Sequence, residues 1–248
     1  MTGSQYSHSL QPGTYTLTTG MSTLDMIKTL CYVESTREVK YTLTVPEGFT
    51  VEQIADRCEE LGFCSAKEFL EACKSGEFEY PFEIPSSEVK YALQGFLFPA
   101  TYDIYADMTP KELIQDMIDK FNSIYTDDFR KKAEELGVDV EVFQSNHEGA
   151  IIDKKECKLD SDRAMVAGVF INRLNDDMPL QVDPSVLYVV TDGQYNQAEL
   201  SYDDLEVDSP YNTYKYTGLP VGPICNPGEA SIEGVLNAVK HDYYYYLT

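Results

Sequence analysis

Between Ser209 and Gly228 the chain can be neither a helix nor an interior strand. Pro210, Pro220, Pro223 and Pro227 each remove a backbone donor and fix φ, and Gly218, Gly222 and Gly228 loosen the chain between them. Such a segment must run as a shaped loop laid over a scaffold built elsewhere. The residues between the prolines and glycines are not filler: Tyr211, Asn212, Thr213 and Tyr214 put two aromatic rings and several hydrogen-bonding groups in one short run. Upstream, Leu180-Gln181-Val182-Asp183-Pro184 adds an amide and a carboxylate beside another turn residue. Polar groups and aromatic faces at this density point to a groove suited to a sugar polymer, carried on loops as functional residues commonly are.

The rest of the chain must supply the scaffold. A length of 248 residues fits one or two domains, and 43% hydrophobic residues are enough for a sizeable core. The formal net charge of −23 argues against nucleic acid and against a polybasic membrane-surface patch. No run of 18 or more apolar residues and no signal-peptide pattern is present. The cysteines, at 31, 58, 64, 73, 157 and 225, form no C-x-x-C pair, and the three histidines are scattered, which speaks against a structural zinc. Cys58 and Cys73 fall inside amphipathic patterns and are expected as free, buried thiols.

Local signals place the elements. Residues 9–20 read as a strand or hairpin, and Ser22 as the cap of a helix carrying Leu24, Ile27 and Leu30. Residues 39–45 alternate as a strand. Thr50 and Ser65 each precede a helical apolar pattern. Residues 76–90, with Pro81 and Pro85, read as a linker. Thr109-Pro110 opens a further helix with Leu113, Met117 and Phe121 on one face, and 127–137 and 163–175 read as two more. Short elements are expected at 185–190 and 202–205, and the Tyr243–Tyr246 run favours a strand. The expected class is α+β, divided as an N-terminal strand/helix segment (1–38), a small module (39–85) and a mixed α/β domain (86–248).

Several of these segments, taken in order, resemble the MltG/YceG-like family of endolytic transglycosylases of bacterial cell walls. Thr44-Val45-Pro46-Glu47-Gly48-Phe49-Thr50-Val51 is similar to the family's LysM-like segment. Gln94-Gly95-Phe96-Leu97-Phe98-Pro99-Ala100-Thr101-Tyr102 resembles its E-G-x-x-x-P-x-T-Y motif, with Gln94 in place of the acid. Asn172-Arg173-Leu174 and the 209–228 loop complete the series. The resemblance implies a LysM-like module before a catalytic-type domain, peptidoglycan glycan strands as substrate, cell-wall synthases as partners and no metal or organic cofactor. It also implies an extracytoplasmic position held by a single-pass N-terminal anchor that this chain does not contain. A pyridoxal-phosphate lyase, a label sometimes attached to the family, would need a Schiff-base lysine and a phosphate cup. No Gly-rich phosphate loop is found here.

A lytic transglycosylase needs one carboxylic acid, where an ordinary glycosidase needs two. In the family that acid is a Glu in a segment of the form A-S-I-I-E-K-E. Here the segment is Gly149-Ala150-Ile151-Ile152-Asp153-Lys154-Lys155-Glu156. Ungapped counting back from Asn172 puts Lys154 at the catalytic position and Glu156 at the family's second acid, whereas matching the isoleucines puts Asp153 there. Asp is one methylene short, and a misplacement of about 1 Å can cost on the order of 100-fold. Glu156 therefore ranks first, Asp153 second and Glu148 third. The substrate-binding residues implied are Gln94, Gln181, Asp183, Tyr211, Asn212, Thr213, Tyr214, Gly218, Leu219 and Pro220. The altered Gln94 and Lys154 leave a second reading open, a glycan-binding member impaired in cleavage.

Overall fold

In the computed structural model of the chain, the residues described are 19–22, 26, 39–75, 77–78, 89–124, 131 and 160–246. Most of the expected hairpin at 9–20, most of the helix after Ser22, the linker around Pro81 and Pro85, the helix at 127–137 apart from Lys131, and the candidate acids Glu148, Asp153 and Glu156 lie outside them; Ser22 O accepts the Met26 N–H at 2.9 Å.

Two strands and six α-helices make up the regular structure of the described residues, an α+β arrangement. Strand β1 (Val39–Thr44) pairs antiparallel with β2 (Thr101–Tyr105), and Leu43 faces Tyr102 across the ladder. The side-chain period of two puts Leu43, Tyr102 and Ile104 inward, all 8% exposed or less. The outward face carries Thr42 with Asp103 and Thr44 with Thr101. The strands come from opposite sides of residue 85, so one sheet spans the boundary expected there.

The helices begin where their caps say they should. Thr50 and Gln53 form a reciprocal box at the start of α1 (Val51–Glu60). Ser65 and Glu68 do the same for α2 (Ala66–Ser75), and Thr109 and Glu112 for α3 (Pro110–Ile124). Helix α4 (Asp160–Asn175) follows, then α5 (Asp183–Val190), a 3-10 turn at Asp204–Glu206, and α6 (Glu229–Leu236), which packs on α4. The core is continuous, with Val51, Ile54, Phe69, Phe96, Leu113, Met117, Phe121 and Phe170 all at most 1% exposed. Cys58, Cys64, Cys73 and Cys225 are free thiols, as the amphipathic pattern implied for the first and third.

The C-terminal tyrosine run is a correction. Residues 239–246 form no strand but an irregular strap over α4. Its carbonyls are satisfied by side chains rather than by a neighbouring ladder: Asn172 Nδ2 donates to His241 O and Tyr243 O at 2.7 and 2.9 Å, and Arg173 Nε donates to Tyr244 O at 2.7 Å. Gly168 lets the strap lie close, since a Cβ there would meet His241 Nε2 at 2.7 Å and crowd Val239 O.

Candidate functional site

The loop that constrained the sequence is held by three buried polar residues. Asn212 Nδ2 donates to Leu205 O and Val207 O, both at 2.9 Å, while its Oδ1 accepts the Tyr214 N–H. Thr213 Oγ1 accepts the Val182 N–H at 2.9 Å and meets Ser185 Oγ at 2.8 Å. Thr213 O accepts the Gln181 N–H at 3.1 Å. The 209–228 loop, the 181–183 turn and the 3-10 turn are thereby locked together. Asn226 ties the same loop to the other half of the fold. Its Oδ1 accepts the N–H groups of Gly95 and Leu97, and its Nδ2 donates to Phe49 O.

These bonds divide the residues expected to touch a glycan into two groups. Gln94, Tyr211, Asn212, Thr213 and Pro220 are buried. Gln94 Oε1 accepts the Val51 N–H at 2.9 Å, so this amide serves as a cap for α1. Tyr211 packs against Tyr188 with ring centroids 5.1 Å apart, and its hydroxyl accepts the Lys90 N–H. These side chains position the loops from within. Gln181 and Asp183 are exposed, and Tyr214, Gly218 and Leu219 are half-buried. The Tyr214 hydroxyl donates to Asp183 Oδ1. Gln181 holds a left-handed backbone with φ of 50°, an uncommon state for a residue with a side chain and one that clusters at functional sites. Gly218 also has positive φ, with open space where a side chain would stand. The solvent-facing edge is therefore Gln181, Asp183, Tyr214, Gly218 and Leu219.

A charged cluster behind this region was not foreseen. Glu52, in the first turn of α1, is 4% exposed and ion-pairs with Lys90 Nζ. Lys90 Nζ also bonds Asp192 Oδ1 at 2.6 Å and Asp192 O at 3.1 Å. Burial raises the Glu52 pKa, and the Lys90 ammonium only partly counters it. Burial works against the Lys90 charge too, but its bonds to Asp192 and Glu52 outweigh that and raise its pKa. The turn at Gly193 is shaped to this acid: its φ is +83°, and a Cβ there would meet the Glu52 carboxyl at 2.6 Å. Thr50 Oγ1 and Gln53 Nε2 donate to Gly193 O and Gln194 O, both at 2.9 Å, bolting the start of α1 onto the same turn. Sequence showed Glu52 only as an acid near a helix N-terminus, and no local signal marks it as buried.

Among the described residues, no group of three His, Cys, Asp or Glu side chains is placed to hold a metal ion, and no helix is long and apolar enough to cross a membrane. A small cleft between β1 and the end of α1, lined by Thr42, Leu43, Thr44, Arg57, Glu60 and Leu61, shares none of the expected site residues.

The model of the YceG-like family matches residues 1–248. The chain belongs to the YceG-like family. It is 36% identical, over 96% of its length, to a Streptococcus pneumoniae protein named endolytic murein transglycosylase, of which it covers 46%. A Bacillus subtilis protein of the same name is 35% identical over 96% of the chain, covering 66% of that relative. The chain thus spans about half the length of the pneumococcal relative. Among solved structures, a yceG-like protein of Listeria monocytogenes superposes with a TM-score of 0.75 at 34% identity, covering 97% of this chain and 80% of that one.

Proposed function

We propose that this chain is the glycan-cleaving part of an endolytic lytic transglycosylase acting on nascent peptidoglycan. The observation that carries the reading is the family match over the whole chain, together with the likeness to the pneumococcal and Bacillus proteins named endolytic murein transglycosylase. The exposed edge of Gln181, Asp183 and Tyr214 supports it, since carboxylate, amide and phenol can meet sugar hydroxyls and a ring face side by side.

The reaction needs no water. A protonated carboxylic acid gives its proton to the glycosidic oxygen between MurNAc and GlcNAc as the C1–O bond breaks. The MurNAc C6 hydroxyl then bonds to C1, its proton passing to the carboxylate, and a 1,6-anhydro end results. The acid must be protonated at the outset, which burial against apolar walls favours. We assign it to Glu156, with Asp153 second. The division at residue 85 is proposed as one of labour, a LysM-like module gripping glycan beside the 86–248 domain. The protein would work at the extracytoplasmic face of a bacterial membrane through an anchor upstream, alongside cell-wall synthases.

The second reading, a glycan binder impaired in cleavage, now rests on Lys154 alone. Gln94 faces inward and caps α1, so its neutral amide bears on folding rather than on sugar contact. Digestion of purified peptidoglycan strands, read by mass spectrometry, separates the two. Anhydro-muramyl ends that vanish in Glu156→Gln or Asp153→Asn establish the lyase and name its acid. Ends without the anhydro ring would mean hydrolysis and overturn the mechanism. Retention on glycan with no products would leave the binder.

A further inference from the structure

Helix α1 ends on a tight reversal that turns the chain back towards its own last turn. Gly62 holds φ of 76° or close to it, at +75°, and the Phe63 and Gly62 N–H groups donate back to Cys58 O and Glu59 O at 3.0 and 2.9 Å. Cys58 owns the first of these carbonyls and Cys64 directly follows Phe63, so the reversal folds one cysteine back onto the other. Their side chains meet, the Cys58 thiol donating a hydrogen bond to the Cys64 sulfur. Cys58 is fully buried, whereas Cys64 is partly exposed.

The two thiols are unequal in a way that orders a reaction. The bond to Cys64, reinforced by burial, pushes the Cys58 thiol up. The same bond holds the Cys64 thiol below its ordinary value, against burial and the carboxylates of Glu68 and Glu59. The thiolate is the nucleophile, and here it forms on the sulfur that a small molecule can reach. Cys73, the third cysteine of the hairpin, is buried, and burial pushes its thiol up, so it is the poorer nucleophile.

We infer that Cys58 and Cys64 are a redox-active pair, oxidised by a small-molecule disulfide to an intramolecular disulfide that closes across the α1–α2 turn within the folded chain. In the first step the Cys64 thiolate attacks one sulfur of the oxidant. The oxidant's S–S bond breaks, a mixed disulfide forms on Cys64, and one thiolate leaves and takes a proton from solvent. The Cys58 sulfur then attacks Cys64 Sγ, and its proton passes to the second thiolate as that leaves. Two protein thiols are oxidised and one small disulfide is reduced to two thiols. Both sulfurs belong to one hairpin and already touch, so the bond needs no docking surface and is independent of the glycan-cleaving reading. It persists in oxidising surroundings. Glu60 and Leu61, inside the closed ring, line the cleft beside β1, so the bond stiffens one wall of that cleft.

The test treats the full folded chain with oxidised glutathione, blocks remaining thiols with iodoacetamide and digests with trypsin. Cleavage after Arg57 and Lys67 releases both cysteines in one peptide, 58–67. In the wild type this peptide should be lighter by two hydrogens, unalkylated, and restored by dithiothreitol. Cys58→Ser should stop at glutathione on Cys64, and Cys64→Ser should leave Cys58 unmodified. The oxidised wild type should melt about 4–8 °C above the reduced one, with no such rise in Cys64→Ser. A wild-type peptide alkylated at both cysteines, glutathione retained on its Cys64, or a bond from Cys64 to Cys73 overturns the pair. An equal rise in Cys64→Ser assigns the stabilisation to other cysteines and overturns the stiffening, as does an oxidised wild type that melts no higher than the reduced.

Discussion

Asn226 Oδ1 accepts the backbone N–H of Gly95 at 2.9 Å, and of Leu97 at the same distance. One side chain from the C-terminal loop thus satisfies two buried donors of the 94–102 motif, while its amide nitrogen reaches Phe49 O. Three of the four sequence segments that carried the family resemblance meet at this residue. Asn226→Ala leaves two buried N–H groups without an acceptor, each costing about 1–3 kcal/mol. The expected loss is about 2–4 kcal/mol of unfolding free energy, read by urea denaturation. A loss under about 1 kcal/mol would show that the loop does not depend on this contact.

Gln94 offers a sharper separation of roles. Its Oε1 accepts the Val51 N–H, and the residue is 1% exposed. Gln94→Leu should destabilise by about 1–2 kcal/mol, the scale of a lost helix cap. Glycan affinity should not change, because the side chain faces inward. Calorimetry on the folded variant checks this, and a weakened affinity at unchanged stability would restore Gln94 as a sugar contact.

What the sequence made legible was local. Thr50 with Gln53, Ser65 with Glu68 and Thr109 with Pro110 and Glu112 announce helix starts within four residues, and each helix begins there. Strand β2 was missed because its five residues are specified by a partner far away in the chain, with Thr44 opposite Thr101. Helix α6 was missed because Asn226-Pro227-Gly228 reads as a turn, although Ile232, Val235 and Leu236 repeat at helical spacing behind it. The tyrosine run was misjudged because propensity describes the strap's own residues, whereas Asn172 and Arg173, on another element, decide where its carbonyls go. For the candidate site the residue types were legible and the direction of each side chain was not. Asn212 and Asp183 look equally available in sequence, and only the fold turns one inward and the other out.

Lys90 is the counter-charge of buried Glu52. Replacing it, as Lys90→Met, leaves an unpaired carboxylate in the interior. Breaking a fully buried pair costs about 3–5 kcal/mol, and because the Lys90 side chain is 31% exposed the loss here should be about 2–3 kcal/mol at neutral pH. The sign of its pH dependence follows from Glu52. Its folded pKa is raised above 4.5, so the protonated acid is the form the fold prefers. That preference is fully present below the unfolded pKa and is lost as pH rises through the folded one. The Lys90→Met defect should therefore shrink as pH falls towards 4.5 and grow above it. Adding Glu52→Gln should recover most of the loss at pH 7. Denaturation curves at three pH values test both, and a defect independent of pH would remove Glu52 from the explanation.

Arg173 holds the strap from one end of α4. Nε donates to Tyr244 O at 2.7 Å, and one terminal nitrogen donates to Leu180 O at 2.6 Å and more weakly to Pro179 O. The fork thus joins the strap to the turn that leads into Gln181 and Asp183. A lysine has one nitrogen on a flexible stem and cannot span these carbonyls in the same geometry. Arg173→Lys should therefore behave nearly as Arg173→Ala, each losing about 2 kcal/mol, since charge-assisted bonds contribute more than neutral ones. The local effect should exceed the global one. Chymotrypsin, which cuts after tyrosine, should clip the variants within the 243–246 run well before the wild type, while the fragment ending near α6 stays intact. Cleavage of the variants at the wild-type rate would mean that Asn172 and Gly168 alone keep the strap closed against α4.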